Sequence, residues 1–366
     1  MRVAIDAHMV GGRETGNETY VKGLIEGFAE LAANDLELIV YHVGSSWTAP
    51  SPSTRFKRLI TGNPLVRLGA ELPLRSFTQR PDILHMTYGA PLWSAAPIVL
   101  TVHDICYATN PEWFSPRDLR VLSNVVPRSI RMAVHVITDS DSARREIMDH
   151  YHVPEEKISS VPIGAGAGAM PITLDEARQE LAALDLKPER PYLLTVGNLQ
   201  PRKNLVRLVE ALNQLVSSGH DIDLVIVGPG HFRADEVFKA AQPASGRIQF
   251  TGYVTDRQLA ACYRCSTAFV LPSLYEGFGL PVLEAMAHGV PVASSNAGAL
   301  PEVAGDAAVL FDPRSVEGMT AAVSSILSDS GLRERLSRAG KSRAAQFTWK
   351  RTAESTLAVY RTALGT

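Results

Sequence analysis

Two carboxylates, Glu276 and Glu284, stand eight positions apart in the string PSLYEGFGLPVLEAMAHGVPV, which runs from Pro272 to Val292. The apolar run before them, Ala268 to Leu271, reads as a buried strand that Pro272 and Ser273 end. Gly277-Phe278-Gly279 follows as a loop whose glycines let backbone come close to a ligand. Pro281 suits a first helical turn and Gly289 a position just past a helix end, so Leu280 to His288 is expected to form a short helix. That helix is apolar nearly all round, which predicts burial. A strand, a glycine loop and a helix N-terminus make an anion site, because free amides and the helix dipole point at whatever sits there, and a phosphate is the natural guest. Glu284 is costly to bury ionised unless it accepts hydrogen bonds, which a sugar or ribose diol would supply. Spacing alone equally allows Glu284 to be an acid complementing the dipole and Glu276 a surface charge in a loop.

A second stretch repeats the anion theme. Gly197-Asn198-Leu199-Gln200-Pro201-Arg202-Lys203-Asn204 follows a strand ending at Val196 and leads into a helix, Leu205 to Val216. Arg202 and Lys203 thus sit beside a helix N-terminus, where a cation is unfavourable unless an anion compensates it. The guanidinium can grip a diphosphate bidentately and the ammonium acts as a point charge. His103 closes the strand Ile98 to Val102 and is followed by Asp104, a carboxylate that can orient the ring. A lone histidine near an apolar strand is otherwise a satisfied core residue. Gly11-Gly12-Arg13-Glu14-Thr15-Gly16, after the first strand, is glycine-rich without being GxGxxG and is weak evidence of phosphate binding by itself.

These residues need elements to hold them. The 366 residues, 45% hydrophobic and 20% charged, are ordinary for a globular chain long enough for two domains. A net charge of −2 argues against nucleic acid as the main partner. No apolar run reaches bilayer length and MRVAIDAHMV lacks the layout of a signal peptide, so a cytoplasmic protein is expected. Cys106, Cys262 and Cys265 fit a reducing compartment, and the CxxC formed by the last two reads as small buried residues of a helix. Strands at Arg2 to Asp6, Leu36 to Tyr41, Ile83 to Met86, Ile98 to Val102 and Val134 to Thr138 alternate with helices, the first of them Glu18 to Leu31 after a loop ending at Asn17. Further strands follow from Tyr192 onward, after a hinge at Gly164 to Pro171 and a helix at Asp175 to Leu184. The pattern predicts an α/β chain of two doubly wound, mostly parallel sheets, with ligands at the carboxyl ends of their strands. Between Arg55 and Arg80 six basic residues face one acid, Glu71, and alternate with apolar ones; the stretch is either a solvated face or a seat on an anionic membrane.

The string Glu276, seven residues, Glu284, with GFGLP after the first acid, resembles the signature of the retaining glycosyltransferases of family four, whose fold is GT-B. The likeness covers nearly the whole chain and is strongest from Tyr192 to Pro313. It implies two Rossmann-like domains facing across a cleft, 1–168 on the acceptor side and 169–346 on the nucleotide-sugar side, with a last helix, 347–366, crossing back to the first domain. By that resemblance His103 contacts the transferred sugar near the reacting carbon, with Asp104 as its orienting neighbour or an acceptor-side contact. Glu276 takes the sugar hydroxyls and Glu284 the ribose diol. Arg202, Lys203 and the backbone of Gly277, Phe278, Gly279 and Leu280 take the diphosphate, Gly16 meets it from the other side, and Val254 borders the nucleobase. Relatives often carry arginine where Asn198 stands, and Arg202 is read as supplying that charge. Asp139-Ser140-Asp141 matches the metal-binding DxD of the other glycosyltransferase fold but begins a helix here and is read as a cap.

The expected reaction moves a hexose, mannose from GDP-mannose, onto a glycan or polyprenyl-linked acceptor for surface polysaccharide, with retained configuration and no metal or other cofactor. Alternatives are a UDP-sugar-dependent transferase, a sugar-nucleotide epimerase of the same fold, or a binding module without catalysis.

Overall fold

A computed structural model describes residues 1–11, 15–31, 35–44, 47, 53–187 and 190–365; for Thr15 and Ala167 it describes the backbone alone. Two compact units divide the chain. The first comprises Met1–Pro111, Pro116–Gly164 and Thr348–Thr366, the second Glu112–Ser115 and Ala165–Phe347.

The first unit is built on seven parallel strands: β1 (Arg2–Asp6), β2 (Glu37–His42), β3 (Thr54–Arg58), β4 (Ile83–Thr87), β5 (Ile98–Thr101), β6 (His135–Thr138) and β7 (Ile158–Ser160), in the order β3-β2-β1-β4-β5-β6-β7. Every residue of β4, β5 and β6 is buried, as a parallel sheet covered on both faces requires. β3 and β7 were not anticipated. The basic run TRFKR of β3 and the short ISS of β7 lack the apolar signal of an inner strand, and sheet pairing alone makes them strands.

Thr348 caps the helix Trp349–Leu364 by accepting from the Arg351 amide, and this last helix packs on Thr15–Leu31 of the same unit. The approach is close because Gly23 and Gly27 have no side chains. A Cβ on Gly27 would lie 2.1 Å from the Trp349 carbonyl oxygen. Further along, Tyr360 stacks on Phe28 at 5.9 Å.

The second unit has six parallel strands: β8 (Tyr192–Val196), β9 (Asp223–Val227), β10 (Ile248–Gly252), β11 (Ala268–Leu271), β12 (Val292–Ser295) and β13 (Ala308–Phe311), ordered β10-β9-β8-β11-β12-β13. Leu193, Leu224, Ile226, Val270 and Ala293 place its core, against which the helix Leu205–Ser217 buries Leu208, Val209, Leu212 and Leu215. Thr173 and Thr255 each start a helix with a reciprocal capping box, to Glu176 and Gln258. Cys262 is buried in the second of those helices, Asp256–Cys265, and Cys265 is half-buried at its end.

The chain leaves β8 toward β9 and β10, then returns to lay β11 on the other side of β8. Such a reversal parts the loops at the carboxyl ends of the two strands, and ligands of open α/β sheets settle there. In the first unit the reversal falls between β1 and β4.

Candidate functional site

The loops that part at β8 and β11 are the two that carry Arg202, Lys203 and Glu276. After β8 the chain turns through Gly197 at φ +148°, where a Cβ would meet Lys203 Cε at 2.9 Å, so the glycine leaves room for the lysine stem. Pro201–Lys203 then form one 3-10 turn, and Asn204, left-handed at φ 57°, opens the helix Leu205–Ser217. The Asn204 side-chain nitrogen donates to the Pro272 and Pro313 carbonyls at 2.9 and 2.7 Å, tying the loop to those after β11 and β13. Glu276 lies between the cations. Its Oε1 accepts from Lys203 Nζ at 2.5 Å and Ser273 Oγ at 2.6 Å, and its Oε2 from Arg202 Nη1 at 2.6 Å. Burial would raise its pKa; the opposing charges of Arg202 and Lys203, with the lysine and serine hydrogen bonds, win and hold it down to about 2. Its backbone is pinned by the loop after β12. Ala299 donates to the Glu276 carbonyl at 3.0 Å, and Gly298, at φ +57°, passes so near that a Cβ would fall 2.4 Å from that oxygen.

Gly277, Phe278 and Gly279 are buried directly behind Glu276, and Gly279, at φ 115°, precedes the helix Leu280–Ala287 with Pro281 in its first turn. A side chain on Gly279 would meet Leu300 Cδ2 at 2.6 Å. Phe278 is seated by an edge contact to Phe347, 5.8 Å between centroids. One turn into the helix, Glu284 is buried with a different environment. Its Oε2 accepts from the Tyr263 hydroxyl at 2.8 Å and its Oε1 from the Gly168 amide at 3.3 Å. Those bonds only partly offset burial, which pushes its pKa up to about 7. His288, one further turn along, hydrogen-bonds the Gly168 carbonyl at 2.7 Å and stacks on Tyr263. The two carboxylates of the signature thus serve opposite electrostatic regimes: one ionised by cations, one poised near neutrality.

Val254 is buried between β10 and Thr255. Gly16 is exposed in the first turn of the helix Thr15–Leu31, which starts three residues earlier than its pattern suggested and absorbs the expected loop as far as Asn17. Gly12, Arg13 and Glu14 of that loop lie outside the described residues.

In the first unit β5 and β6 pair with Thr101 opposite Ile137, so His103 and Asp139, each two residues on, leave the sheet side by side. His103 Nδ1 lies 2.7 Å from Asp139 Oδ2. Asp139 thus takes the orienting part expected of Asp104, whose carboxylate accepts from the Cys106 amide at 3.0 Å and turns the loop; the other expected part, a contact on the acceptor side, is not touched by this geometry. Burial disfavours a charged His103 ring, but the Asp139 carboxylate beside it, and Asp104 farther off, raise its pKa above the ordinary value. Nε2 is buried with no hydrogen-bond partner among the described residues. Tyr20 and Tyr88 stand edge-on to the ring at 4.8 and 5.5 Å, and Tyr88 holds a left-handed φ of 57°, a conformation non-glycine residues adopt at a cost of ~1–3 kcal/mol where surroundings impose it. Of the two cap candidates in that triplet, Ser140 and Asp141, it is Ser140 that caps the helix, accepting from Ala143, so the DxD divides its labour: Asp139 positions a histidine and Ser140 starts a helix.

Sequence reasoning missed Asp139, Ser273, Tyr263 and Gly298. Asp139 and His103 each lie two residues past the paired Ile137 and Thr101, a signal readable only once β5 and β6 are known neighbours; Tyr263 sits in an unremarkable helical pattern and carries no signal.

Residues 15–165 match the family described as Glycosyltransferase Family 4, and residues 177–343 that described as Glycosyl transferases group 1. O-antigen chain mannosyltransferase B of Escherichia coli is 33% identical over 266 residues, 72% of this chain and 70% of that protein. Sucrose-phosphate synthase from Thermosynechococcus elongatus is similar in structure at TM-score 0.78 and 21% identity, over 100% of this chain and 99% of that one. Anabaena HepE, solved in complex with UDP and glucose, is similar at TM-score 0.74 and 18% identity, over 98% and 99%. Two Rossmann-like domains of this kind are the GT-B fold of glycosyltransferases. The chain belongs to glycosyltransferase family 4.

Proposed function

We propose that this glycosyltransferase moves mannose from GDP-mannose, with retention of configuration, onto a glycan or polyprenyl-linked acceptor in cell-surface polysaccharide synthesis. The observation that carries the reading is the convergence of Arg202 and Lys203 on Glu276 beside the N-terminus of Leu280–Ala287, at the strand reversal of the second sheet. Breaking the bond between a sugar and a nucleoside diphosphate puts negative charge on the leaving group and positive character on the ring. Arg202, Lys203 and the helix N-terminus meet the first of these charges, and one well-aimed donor can be worth ~3 kcal/mol at a transition state. On this reading that charge falls to the two cations and the helix N-terminus without a metal, so donor binding in EDTA is expected. Glu276 takes the sugar hydroxyls, Glu284 the ribose diol, Val254 borders the base, and Gly16 meets the diphosphate. His103, oriented by Asp139, offers its second ring nitrogen to the transferred sugar.

Mannose is supported by the similarity to O-antigen chain mannosyltransferase B. A UDP-sugar donor is the second reading, because HepE, of the same fold, was solved with UDP and glucose. Among the described residues no helix is long and apolar enough to cross a membrane. A nucleotide-sugar donor is consistent with work in the cytoplasm, and a polyprenyl-linked acceptor would bring the enzyme to the inner membrane face.

The test is thermal stabilisation by GDP, UDP, ADP and TDP in EDTA. A ligand at a hundredfold its dissociation constant adds ~2.7 kcal/mol. A shift by GDP alone, abolished in Lys203→Ala, is the expected result. A shift by UDP overturns the donor; no shift by any nucleotide overturns the diphosphate clamp.

A further inference from the structure

Among the described residues thirteen large apolar side chains are exposed, and seven of them fall between Ile60 and Trp93. Ile60 and Leu65 are each 83% exposed. Val66 follows Leu65 in the helical turn Pro64–Val66, which buries none of its residues. Leu74 and Phe77 are the outer face of the helix Leu72–Gln79, whose inner face is Leu72, Pro73 and Ser76. Leu92 and Trp93 come from the loop after β4.

Backbone and side-chain bonds stitch these segments into one surface. The Ile60 amide donates to Glu71 at 3.0 Å, Arg75 donates to the Arg58 carbonyl at 2.7 Å, and the Leu92 amide donates to the Leu68 carbonyl at 2.8 Å. Monomeric proteins rarely leave apolar side chains clustered in this way without a use for them.

The charge around the cluster says what covers it. Of the six basic residues between Arg55 and Arg80, Arg67 turns inward to Asp6, Arg75 pairs with Glu71 and Arg55 with Glu37. Lys57, Arg58 and Arg80 have no acidic partner among the described residues, and the single acid of the stretch, Glu71, is buried. Arg128 donates to the Ala90 carbonyl at 3.0 Å and so joins the loop to the helix Pro116–Met132, whose exposed Arg117, Arg120 and Arg131, against one exposed acid, Asp118, extend the basic rim. The whole chain carries a net charge of −2, so this basic excess is local.

We infer that the face formed by residues 60–77 and the Leu92–Trp93 loop docks on an anionic lipid bilayer, inserting Leu65 and Phe77 among the acyl chains while Lys57 and Arg80 meet the headgroups. Apolar area supplies the attraction and the basic rim the preference for anionic lipid. The inference deepens the polyprenyl-acceptor reading and rests on it for its purpose; binding to lipid itself needs neither donor nor acceptor.

The test is cosedimentation of the full chain with vesicles of phosphatidylcholine, alone or mixed with phosphatidylglycerol. The mixed vesicles should bind at least about tenfold better, and Leu65→Glu/Phe77→Glu should lower that binding by about tenfold. Lys57→Gln/Arg80→Gln should erase the lipid preference. Both variants should keep the wild-type melting temperature and nucleotide-induced shift, which separates this outcome from misfolding and from failure of the donor reading. The inference is overturned if wild type ignores anionic vesicles, if neither variant changes binding, or if Leu65→Glu instead dissociates a dimer seen by analytical ultracentrifugation.

Discussion

Glu276 neutralises the two cations proposed to meet the donor diphosphate, so carboxylate and phosphate compete for them. Glu276→Gln should therefore bind GDP several-fold more tightly by calorimetry while losing transfer. Without nucleotide it should be destabilised by about 3 kcal/mol, because Lys203 stays buried without its counter-charge. Weaker GDP binding in this variant would sink the competition. Glu284 makes a pH prediction of opposite sign to that of Glu276. The Glu284 pKa rises on folding to about 7, so the native chain holds a proton that the unfolded chain has released, and stability falls as pH rises from about 4.5 to 7. The drop is about 3 kcal/mol and should vanish in Glu284→Gln. Glu276, depressed to about 2, contributes stability that is present above the ordinary glutamate pKa and is lost as pH falls from about 4.5 toward 2. Denaturant melts across that range resolve the two. His103 offers a third check: Asp139→Asn should lower its pKa in proton NMR titration, whereas Asp104→Asn should move it less.

At the scale of elements, the parts of the site are held by loops that share no sequence neighbourhood. Gly298→Ala touches no charge, yet its Cβ would displace the Glu276 carbonyl, and its positive φ adds strain. It should cost transfer about tenfold or more while leaving the rest of the second unit folded, as read by activity beside circular dichroism. The strand ending at Leu271, the glycine loop and the buried helix after it were all legible, because proline, glycine and apolar runs report local backbone preference. So were the helix Leu205–Ser217 and the Ser140 cap. The start of Thr15–Leu31 was not. Gly16 and the polar Asn17 argue for a loop, and burial of Tyr20, Val21, Leu24 and Ile25 on the same helix overrides them.

At the scale of the whole molecule, residues 348–366 complete the first unit from the far end of the chain. His85 ties this helix to the sheet: its Nδ1 meets the Tyr360 hydroxyl and its Nε2 the Thr101 hydroxyl at 2.8 Å, and burial depresses its pKa to about 3. The ring stays neutral and bridges two hydroxyls beneath the His103 loop. Gly27→Val would drive a side chain into the Trp349 backbone and should destabilise the first unit by about 3 kcal/mol, seen as an earlier calorimetric transition. By itself the sequence determined the alternation of strands and helices, the strand-loop-helix form of the segments after β8 and β11, and the family, since each rests on local backbone preference or on residues close together in the chain. Tertiary structure decided the partners. Asp139 rather than Asp104 orients His103 because β6 lies beside β5, and Arg202 and Lys203 reach Glu276 because β11 lies beside β8. It also decided which side of the basic stretch faces out, since Arg67 found Asp6 and left Ile60, Leu65 and Phe77 to the solvent. Strand order is set by burial summed over a whole sheet, and no window of sequence contains that sum.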